Sequence, residues 1–215
     1  HDFAQPTSLN ALALVARARL GAIDDVRRLV EPYMDGGQDP LARPNSLTMA
    51  GHVVFTELAR ATGDARYVAA VRRVAELGFD ESGEMRESMP YHGEFSDSIF
   101  MGATIVAQAA ALTGERRYFD LAVRHIAFMQ RLVLRPDGLY RHQPATDAAW
   151  GRGNAFAALG LALTLDELPE DHDGHAAVLR AYREHMAALL PYQTPRGAWR
   201  NVIDYPGAYE EYSAT

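Results

Sequence analysis

The sequence contains no cysteine, and that absence excludes several kinds of chemistry at once. A disulfide scaffold, a thiolate nucleophile and a cysteine-ligated metal are all ruled out. No apolar run is long enough to span a bilayer and no signal peptide is visible, so we expect a cytoplasmic protein, with a periplasmic location left open. An excess of basic residues is also missing, because 21 Lys and Arg stand against 28 Asp and Glu, for a net charge of −7. Neither a nucleic-acid partner nor an anionic membrane surface is therefore expected.

The chain has 215 residues, of which 48% are hydrophobic, which is enough for one domain with a substantial core. Apolar and amphipathic helical stretches alternate along it, and glycine turns join them. The turn sequence TGDARY at 62–67 returns as TGERRY at 113–118. Stacked helical hairpins with alternating inner and outer helices indicate a solenoid or a closed α/α toroid. We predict an all-α fold and a single domain over residues 1–215.

The repeat also predicts where functional residues gather. Each short turn follows an apolar helix, and each long loop precedes the next apolar helix. In a parallel array of inner helices, the long loops lie at one end of the molecule. The polar and aromatic residues expected at that end are Asp97, Glu94, His92, His142, Trp150, Arg152, Asn154, Trp199, Tyr209 and Glu211.

The stretch YHGEFSDSIFM at 91–101 is the most informative of these loops. Asp97 stands between aromatic residues at the start of an apolar helix predicted to run to about Leu112. A carboxyl group in such a place can act as a proton donor. Arg152 could hold a carboxylate, aromatic rings could stack on sugar rings, and Asn154 could bond hydroxyl groups. This combination suits a sugar acid.

Each of these residues also has a structural interpretation. Asp97 could cap its helix, as Ser96 could. Arg152 could form a structural ion pair, and the two tryptophans could pack at loop bases. The spacing of His172 and His175 is only weakly typical of a metal site, so a turn is favoured and no metal is predicted.

Five stretches resemble the unsaturated glucuronyl and rhamnogalacturonyl hydrolases of glycoside hydrolase families 88 and 105. They are FSDSIFM (95–101), TGERRYFDLAV (113–123), DGLYRH (137–142), WGRGN (150–154) and WRNVIDYPGAYEEYSAT (199–215). The resemblance implies an (α/α)6 barrel, which twelve helices close. About eight helices are expected here, and because the chain stops at Thr215, we expect the domain to lack its C-terminal helices.

The resemblance further implies that the substrate is a lyase-generated oligosaccharide with a Δ4,5-unsaturated uronic acid at its non-reducing end. Family members hydrate the enol-ether double bond, with an aspartate that protonates C4 while water adds at C5. The resemblance implies no metal and no cofactor. It makes Asp97 the catalytic residue, and the substrate-binding residues are predicted to be His92, Glu94, His142, Trp150, Arg152, Asn154, Trp199 and Glu211.

The sequence departs from the family pattern in three places. Many members carry a second aspartate shortly after an asparagine, whereas Asn45 is followed here by Ser46, Leu47 and Thr48; Glu94 is the candidate to replace it. Phe95 stands for a tryptophan, and Ala155-Phe156 for Gly-Trp. Two alternatives are kept, namely another α/α-toroid sugar enzyme (an epimerase or an inverting glycosidase) and a non-catalytic helical-repeat binding module. Self-association is not predicted either way.

Overall fold

A computed structural model describes residues 8–211 and shows an all-α protein, as predicted. The α-helices in that range are α1 (Ser8–Arg19), α2 (Ile23–Val30), α3 (Ser46–Gly51), α4 (Val53–Thr62), α5 (Ala65–Glu76), α6 (Ile105–Thr113), α7 (Arg116–Val133), α8 (Gly151–Leu165) and α9 (His175–Leu189). A π-helical segment, Ile99–Thr104, leads directly into α6, and two short 3₁₀ turns follow α2 and α9. Within the described residues, the named strands are β1 (Trp199–Arg200) and β2 (Glu210–Glu211), which pair antiparallel.

The repeated turn has the same structure in both copies. Gly63 and Gly114 take left-handed backbone angles, with φ of 70° and 75°, and end α4 and α6. A glycine is suited to this position because a side chain would be strained there. The preceding threonines, Thr62 and Thr113, each donate a hydroxyl hydrogen bond of 2.7 Å to a carbonyl one turn back. The helical-hairpin repeat is therefore confirmed.

Inner and outer helices alternate as the pattern predicts. The π-helical segment is buried on all sides, and so is most of α6, whereas α5 and α7 bury one face and expose the other. Tyr67 and Tyr118, at equivalent places in the two repeats, are both fully buried. The π-helical segment, α6 and α8 form an inner layer. The core lies between this layer and the outer helices.

The π-helical segment and the residues just before it pack very closely on α8. A Cβ atom at Gly160 would lie 2.5 Å from the backbone nitrogen of Phe100, and one at Gly153 would lie 2.4 Å from the Ser96 hydroxyl. Real Cβ atoms do not approach other atoms this closely. The missing side chain at Gly160 lets α8 lie against the backbone of Phe100, and the missing side chain at Gly153 leaves room for the Ser96 side chain. Because Gly153 lies in the first turn of α8, its contact sets the residues just before the π-helical segment against the start of α8.

One helix boundary differs from the sequence pattern. That pattern predicts a single helix from the Asn45 cap to about Ala61, but the helix is interrupted at His52, between α3 and α4. Asn45 does form a capping box with Thr48. The His52 imidazole lies 2.7 Å from the carbonyl oxygen of Thr48, and this local bond accompanies the break.

No helix among residues 8–211 combines the length and the apolar character needed to cross a membrane.

Candidate functional site

Asp97, His142 and Arg152 meet at one cavity of about 350 Å³. The cavity opens at the end of the molecule where the π-helical segment and α8 begin. Its lining residues are Ser46, Leu47, His92, Phe95, Asp97, Ser98, Met101, His142 and Arg152. Asp97 is the one carboxylate in that lining.

Asp97 is held by an ion pair with Arg152. The Nε–H group of Arg152 donates a 3.0 Å hydrogen bond to Oδ1 of Asp97. The carboxylate is buried, with 11% of its side chain exposed, whereas the Arg152 side chain is 46% exposed. The two terminal amino groups of Arg152 make no hydrogen bond to other residues in the described part of the chain, so they remain available for a ligand.

The second carboxylate oxygen of Asp97 has a different environment. Among residues 8–211 no group hydrogen-bonds to Oδ2, although the atom is buried. The nearest ring nitrogen is Nδ1 of His142, 4.0 Å away, which is also buried and without a partner in that range. Two unpaired buried polar atoms that face each other are costly unless a ligand, a water molecule or a proton joins them.

His142 is fixed from two sides. Its carbonyl oxygen accepts a 3.0 Å hydrogen bond from the backbone N–H of Ser96. Its ring stacks on Phe95, with the ring centres 4.7 Å apart and the planes at 22°. The Phe95 ring in turn lies over Gly93, where a Cβ atom would approach it to 2.8 Å. The DGLYRH and FSDSIFM stretches are thus brought side by side.

The loop before Asp97 has a strained backbone. Tyr91 and Glu94 have positive φ angles of 62° and 58°, and Gly93 between them has a φ of 57°. The backbone N–H of Glu94 donates a 3.0 Å hydrogen bond to Nδ1 of His92. Burial lowers the pKa of His92, and the negative charge of Glu94 opposes this effect. Strained residues of this kind cluster at functional sites because the surroundings must hold them in place.

The Glu94 side chain is exposed and does not line the cavity. Its backbone conformation turns the chain back toward Phe95, whose N–H bonds to the His92 carbonyl at 3.2 Å. Glu94, the candidate to replace the second acid, therefore does not line the cavity beside Asp97.

Asn154 acts as a backbone clamp, which differs from its predicted place in the pocket. Its Oδ1 accepts a 2.8 Å hydrogen bond from the N–H of Tyr140. Its two amide N–H groups donate 2.9 Å bonds to the carbonyl oxygens of Tyr140 and Trp150. Because both donors are used and the residue is 1% exposed, the amide is not free to bind a sugar hydroxyl. It holds the segment before His142 against the start of α8.

The tryptophans lie beside the cavity rather than in its lining. The Trp150 ring meets the ring of His142 edge-on at 6.2 Å. Trp199 donates from Nε1 to the Leu189 carbonyl at 2.9 Å and lines a separate apolar crevice between α8 and α9. For Glu211 the structure describes the backbone alone, which pairs with Trp199 in the small hairpin. Of the predicted site residues, the cavity thus collects His92, Asp97, His142 and Arg152.

The sequence analysis did not assign two lining residues, Ser46 and Leu47. They begin α3, and the Asn45 cap brings them to the cavity. Leu47 and Phe95 are 44% and 39% exposed, so they give the cavity an apolar rim. The signal that could have identified Ser46 and Leu47 was their position after Asn45, where the resemblance led us to expect an acid.

The structure decides whether Asp97 or Ser96 caps a helix and whether His172 is a turn residue. Asp97 and Ser96 make no side-chain capping bond at the start of the π-helical segment, so neither is a helix cap. His172 bonds to the Asp120 carboxylate at 3.1 Å and accepts the N–H of Gly174 at 3.0 Å, as a turn residue. Among residues 8–211, no group of three His, Asp or Glu side chains is arranged to hold a metal ion.

The sequence of the chain matches one family of glycoside hydrolases. The model of Glycosyl Hydrolase Family 88 matches residues 20–215. An unsaturated rhamnogalacturonyl hydrolase, YesR of Bacillus subtilis, is 23% identical over 212 residues, which is 90% of this chain and 61% of that protein. An unsaturated 3S-rhamnoglycuronyl hydrolase of an Alteromonas species is 25% identical over 142 residues, or 58% of this chain and 34% of the relative. The chain thus spans about three fifths of the length of YesR.

Solved structures show the same fold. A family 105 glycoside hydrolase of C. acetobutylicum superposes with a TM-score of 0.76 at 18% identity, covering 98% of this chain and 68% of the other. An unsaturated glucuronyl hydrolase of Bacillus sp. GL1 superposes with a TM-score of 0.68 at 16% identity, covering 100% of this chain and 65% of the other. At these identities the structural likeness establishes the all-α toroid fold.

Proposed function

Since the chain belongs to glycosyl hydrolase family 88, we propose that it releases a Δ4,5-unsaturated uronic acid from the non-reducing end of an oligosaccharide. The reaction is hydration of the enol-ether double bond. One observation carries the proposal: Asp97, Arg152 and His142 line one cavity in which Asp97 is the one carboxylate among the side chains that the structure describes.

A single carboxylate suits hydration better than direct glycoside cleavage. Glycosidases that act at the anomeric carbon generally need two carboxyl groups at a set separation, an acid and a nucleophile or base. Hydration needs one group that first donates a proton and then accepts one. Asp97 can do both, because it lines the cavity and no group among the described residues hydrogen-bonds to its Oδ2, which leaves that oxygen free to carry the proton.

In the proposed reaction, protonated Asp97 donates its proton to C4, and positive charge develops at C5 and the ring oxygen. A water molecule forms a bond to C5 and returns a proton to the Asp97 carboxylate. The product is a hemiketal at C5. It opens when the C5 hydroxyl loses its proton and becomes a ketone, while the bond from C5 to the ring oxygen breaks and the ring oxygen takes up a proton. The ring oxygen then belongs to a hemiacetal at C1, and the collapse of this hemiacetal releases the leaving sugar.

Arg152 and His142 support this chemistry at different oxygens of Asp97, Arg152 at Oδ1 and His142 near Oδ2. The terminal amino groups of Arg152 can bind the uronate carboxylate while Nε–H keeps its bond to Asp97, so one guanidinium aligns substrate and acid. His142 lies 4.0 Å from Oδ2, within reach of a water molecule shared with Asp97.

The apolar rim supports a choice of leaving sugar. Leu47 and Phe95 stand exposed at the cavity edge and offer a surface for an apolar group. A 6-deoxyhexose such as rhamnose carries a methyl group that such a rim would cover. The names of two relatives, a rhamnogalacturonyl and a rhamnoglycuronyl hydrolase, agree with that chemistry. We therefore take the substrate to be an unsaturated uronyl-6-deoxyhexose.

The test is an assay of lyase-generated disaccharides that follows the ultraviolet absorbance of the conjugated double bond. Wild-type protein should remove the absorbance, and Asp97→Asn should not. Asp120→Asn is the matched control, because it makes the same charge change at the His172 pair, outside the cavity. Full activity of Asp97→Asn would refute the proposal.

The same assay distinguishes the alternatives. A sugar epimerase would interconvert free sugars without loss of absorbance, and it would depend on His92 and His142 rather than on Asp97. A binding module would bind the disaccharide and leave its double bond and its absorbance unchanged. Replacement of the 6-deoxyhexose by the corresponding hexose should raise KM, since the rim loses its methyl contact.

A further inference from the structure

We infer that His125 is a positioning residue that holds the chain on both sides of Asp97 in place. His125 lies on α7, behind the cavity, and does not line it. The inference rests on the proposed role of Asp97 and deepens it. It gives His125 no contact with the substrate.

The imidazole joins two backbone groups that flank segment 90–97. Its Nδ1 lies 3.3 Å from the backbone nitrogen of Met89, and its Nε2 lies 2.8 Å from the carbonyl oxygen of Ser98. A backbone N–H can only donate and a carbonyl can only accept. Nδ1 therefore accepts from Met89, and Nε2 carries the proton and donates it to Ser98. One side chain thus closes the loop that contains Asp97.

The neutral ring is required for this arrangement. His125 and Met89 are fully buried, and Ser98 is 1% exposed. Burial lowers the pKa of His125 to about 4, so the ring is neutral near neutral pH. A second proton, on Nδ1, would oppose the N–H of Met89.

Gly102 makes room for this contact. A Cβ atom at Gly102 would lie 2.3 Å from Nε2 of His125, so any side chain there would displace the ring from the Ser98 carbonyl. An apolar side chain at position 125 could fill the same core space without needing hydrogen-bond partners. The two hydrogen bonds of the imidazole, and not core packing, therefore explain why a histidine stands at position 125 and a glycine at position 102.

The closed segment needs such an anchor. It contains Tyr91 and Glu94, whose positive φ angles are of a strained kind that persists only where the surroundings impose it. The segment also positions Asp97 against Arg152. A displacement of about 1 Å at a reacting group can reduce a rate about 100-fold.

Two variants separate the two hydrogen bonds. The amide nitrogen of glutamine lies as many bonds from Cα as Nε2 of histidine, so His125→Gln can still donate to Ser98. The amide of asparagine matches Nδ1, so His125→Asn can accept from Met89 but cannot reach Ser98. The pair therefore tests whether the bond next to Asp97 is the one that positions it.

Two readouts are needed, kcat and KM on an unsaturated disaccharide and the NMR signal of the Arg152 Nε–H group, which reports the bond to Asp97. We expect His125→Asn to lose about 10- to 100-fold in kcat with little change in KM, and to shift the Arg152 signal. His125→Gln should keep both near wild type. His172→Gln is the control, since it alters another buried histidine and should lower the thermal midpoint without changing kcat.

Wild-type kcat in a folded His125→Asn protein would overturn the inference. If that variant does not fold, Gly102→Ala displaces the ring instead and is expected to lose kcat in the same way; wild-type kcat there would also overturn it. If the wild-type protein leaves every unsaturated disaccharide intact, the proposed function fails separately. The inference is then decided by the Arg152 signal, which must change in His125→Asn for it to stand.

Discussion

Replacing Gly153 by alanine should lower kcat while the protein remains folded. Gly153 is the second glycine of WGRGN and lies in the first turn of α8. An added Cβ would lie 2.4 Å from the Ser96 hydroxyl and 3.3 Å from Oδ2 of Asp97. Because Ser96 is fully buried, its hydroxyl has little space in which to move away.

The magnitude follows from two opposing effects. Alanine in place of glycine favours a helix by about 1 kcal/mol. Overpacking of a buried contact costs about 1–3 kcal/mol. The net loss in the free energy of unfolding should therefore be no more than about 2 kcal/mol. A shift of Asp97 by several tenths of an ångström to 1 Å should lower kcat by about 10- to 100-fold.

A double-mutant cycle with Ser96→Ala tests this reasoning. The Ser96 hydroxyl has no hydrogen-bond partner among residues 8–211, so its removal alone should be neutral or slightly stabilising. In the Gly153→Ala/Ser96→Ala protein the 2.4 Å contact disappears, and the stability and much of the kcat should return. Urea unfolding and the disaccharide assay measure the two quantities.

Either of two results would refute the account of this contact. The first is a Gly153→Ala protein with wild-type kcat. The second is a double variant as inactive and unstable as Gly153→Ala, which would mean that Ser96 is not the atom in conflict. Gly160→Ala gives the comparison, because its Cβ would meet the backbone of Phe100, which cannot rotate away, and its loss of stability should be larger.

Three further predictions concern the site and its surroundings. Arg152→Lys should raise KM on the order of 10-fold or more and also lower kcat, because lysine has one nitrogen and cannot offer a uronate carboxylate a planar pair of N–H groups beside a separate bond to Asp97; steady-state kinetics measure both. Glu94→Gln should keep kcat within about threefold of wild type, since the Glu94 side chain is exposed outside the lining, and a loss comparable to that of Asp97→Asn would contradict this placement. Stability should fall as the pH drops from about 6.5 to about 4, because burial lowers the pKa of both His52 and His125 to about 4, so that the unfolded chain binds more protons across this range. The loss should reach roughly 3 kcal/mol for each ring at about pH 4; urea unfolding at several pH values across this range measures it, and a flat profile would contradict the neutral buried rings.

The fold was largely predictable because its signals are local. The glycine turns at Gly63 and Gly114, the Asn45 cap and the alternation of apolar and amphipathic helices each depend on a few neighbouring residues. The break at His52 was not predictable, since the apolar pattern continues across it; a side-chain bond from His52 to Thr48 accompanies the break.

The site was predictable only in part. The meeting of Asp97, His142 and Arg152 follows from the placement of long loops at one end of the molecule. The role of Asn154 was misassigned, because an amide at a site looks the same in sequence whether it bonds to a ligand or to the Tyr140 backbone. His125 was missed because its partners are backbone groups distant in sequence, which leave no pattern.

The central claim is that Asp97 adds a proton to a double bond. The most direct test compares release of the leaving sugar from an unsaturated uronyl disaccharide and from its 4,5-saturated counterpart, by wild-type protein and by Asp97→Asn. Hydration predicts release from the unsaturated disaccharide alone, and by the wild-type protein alone. Release of sugar from the saturated disaccharide by the wild-type protein would contradict it.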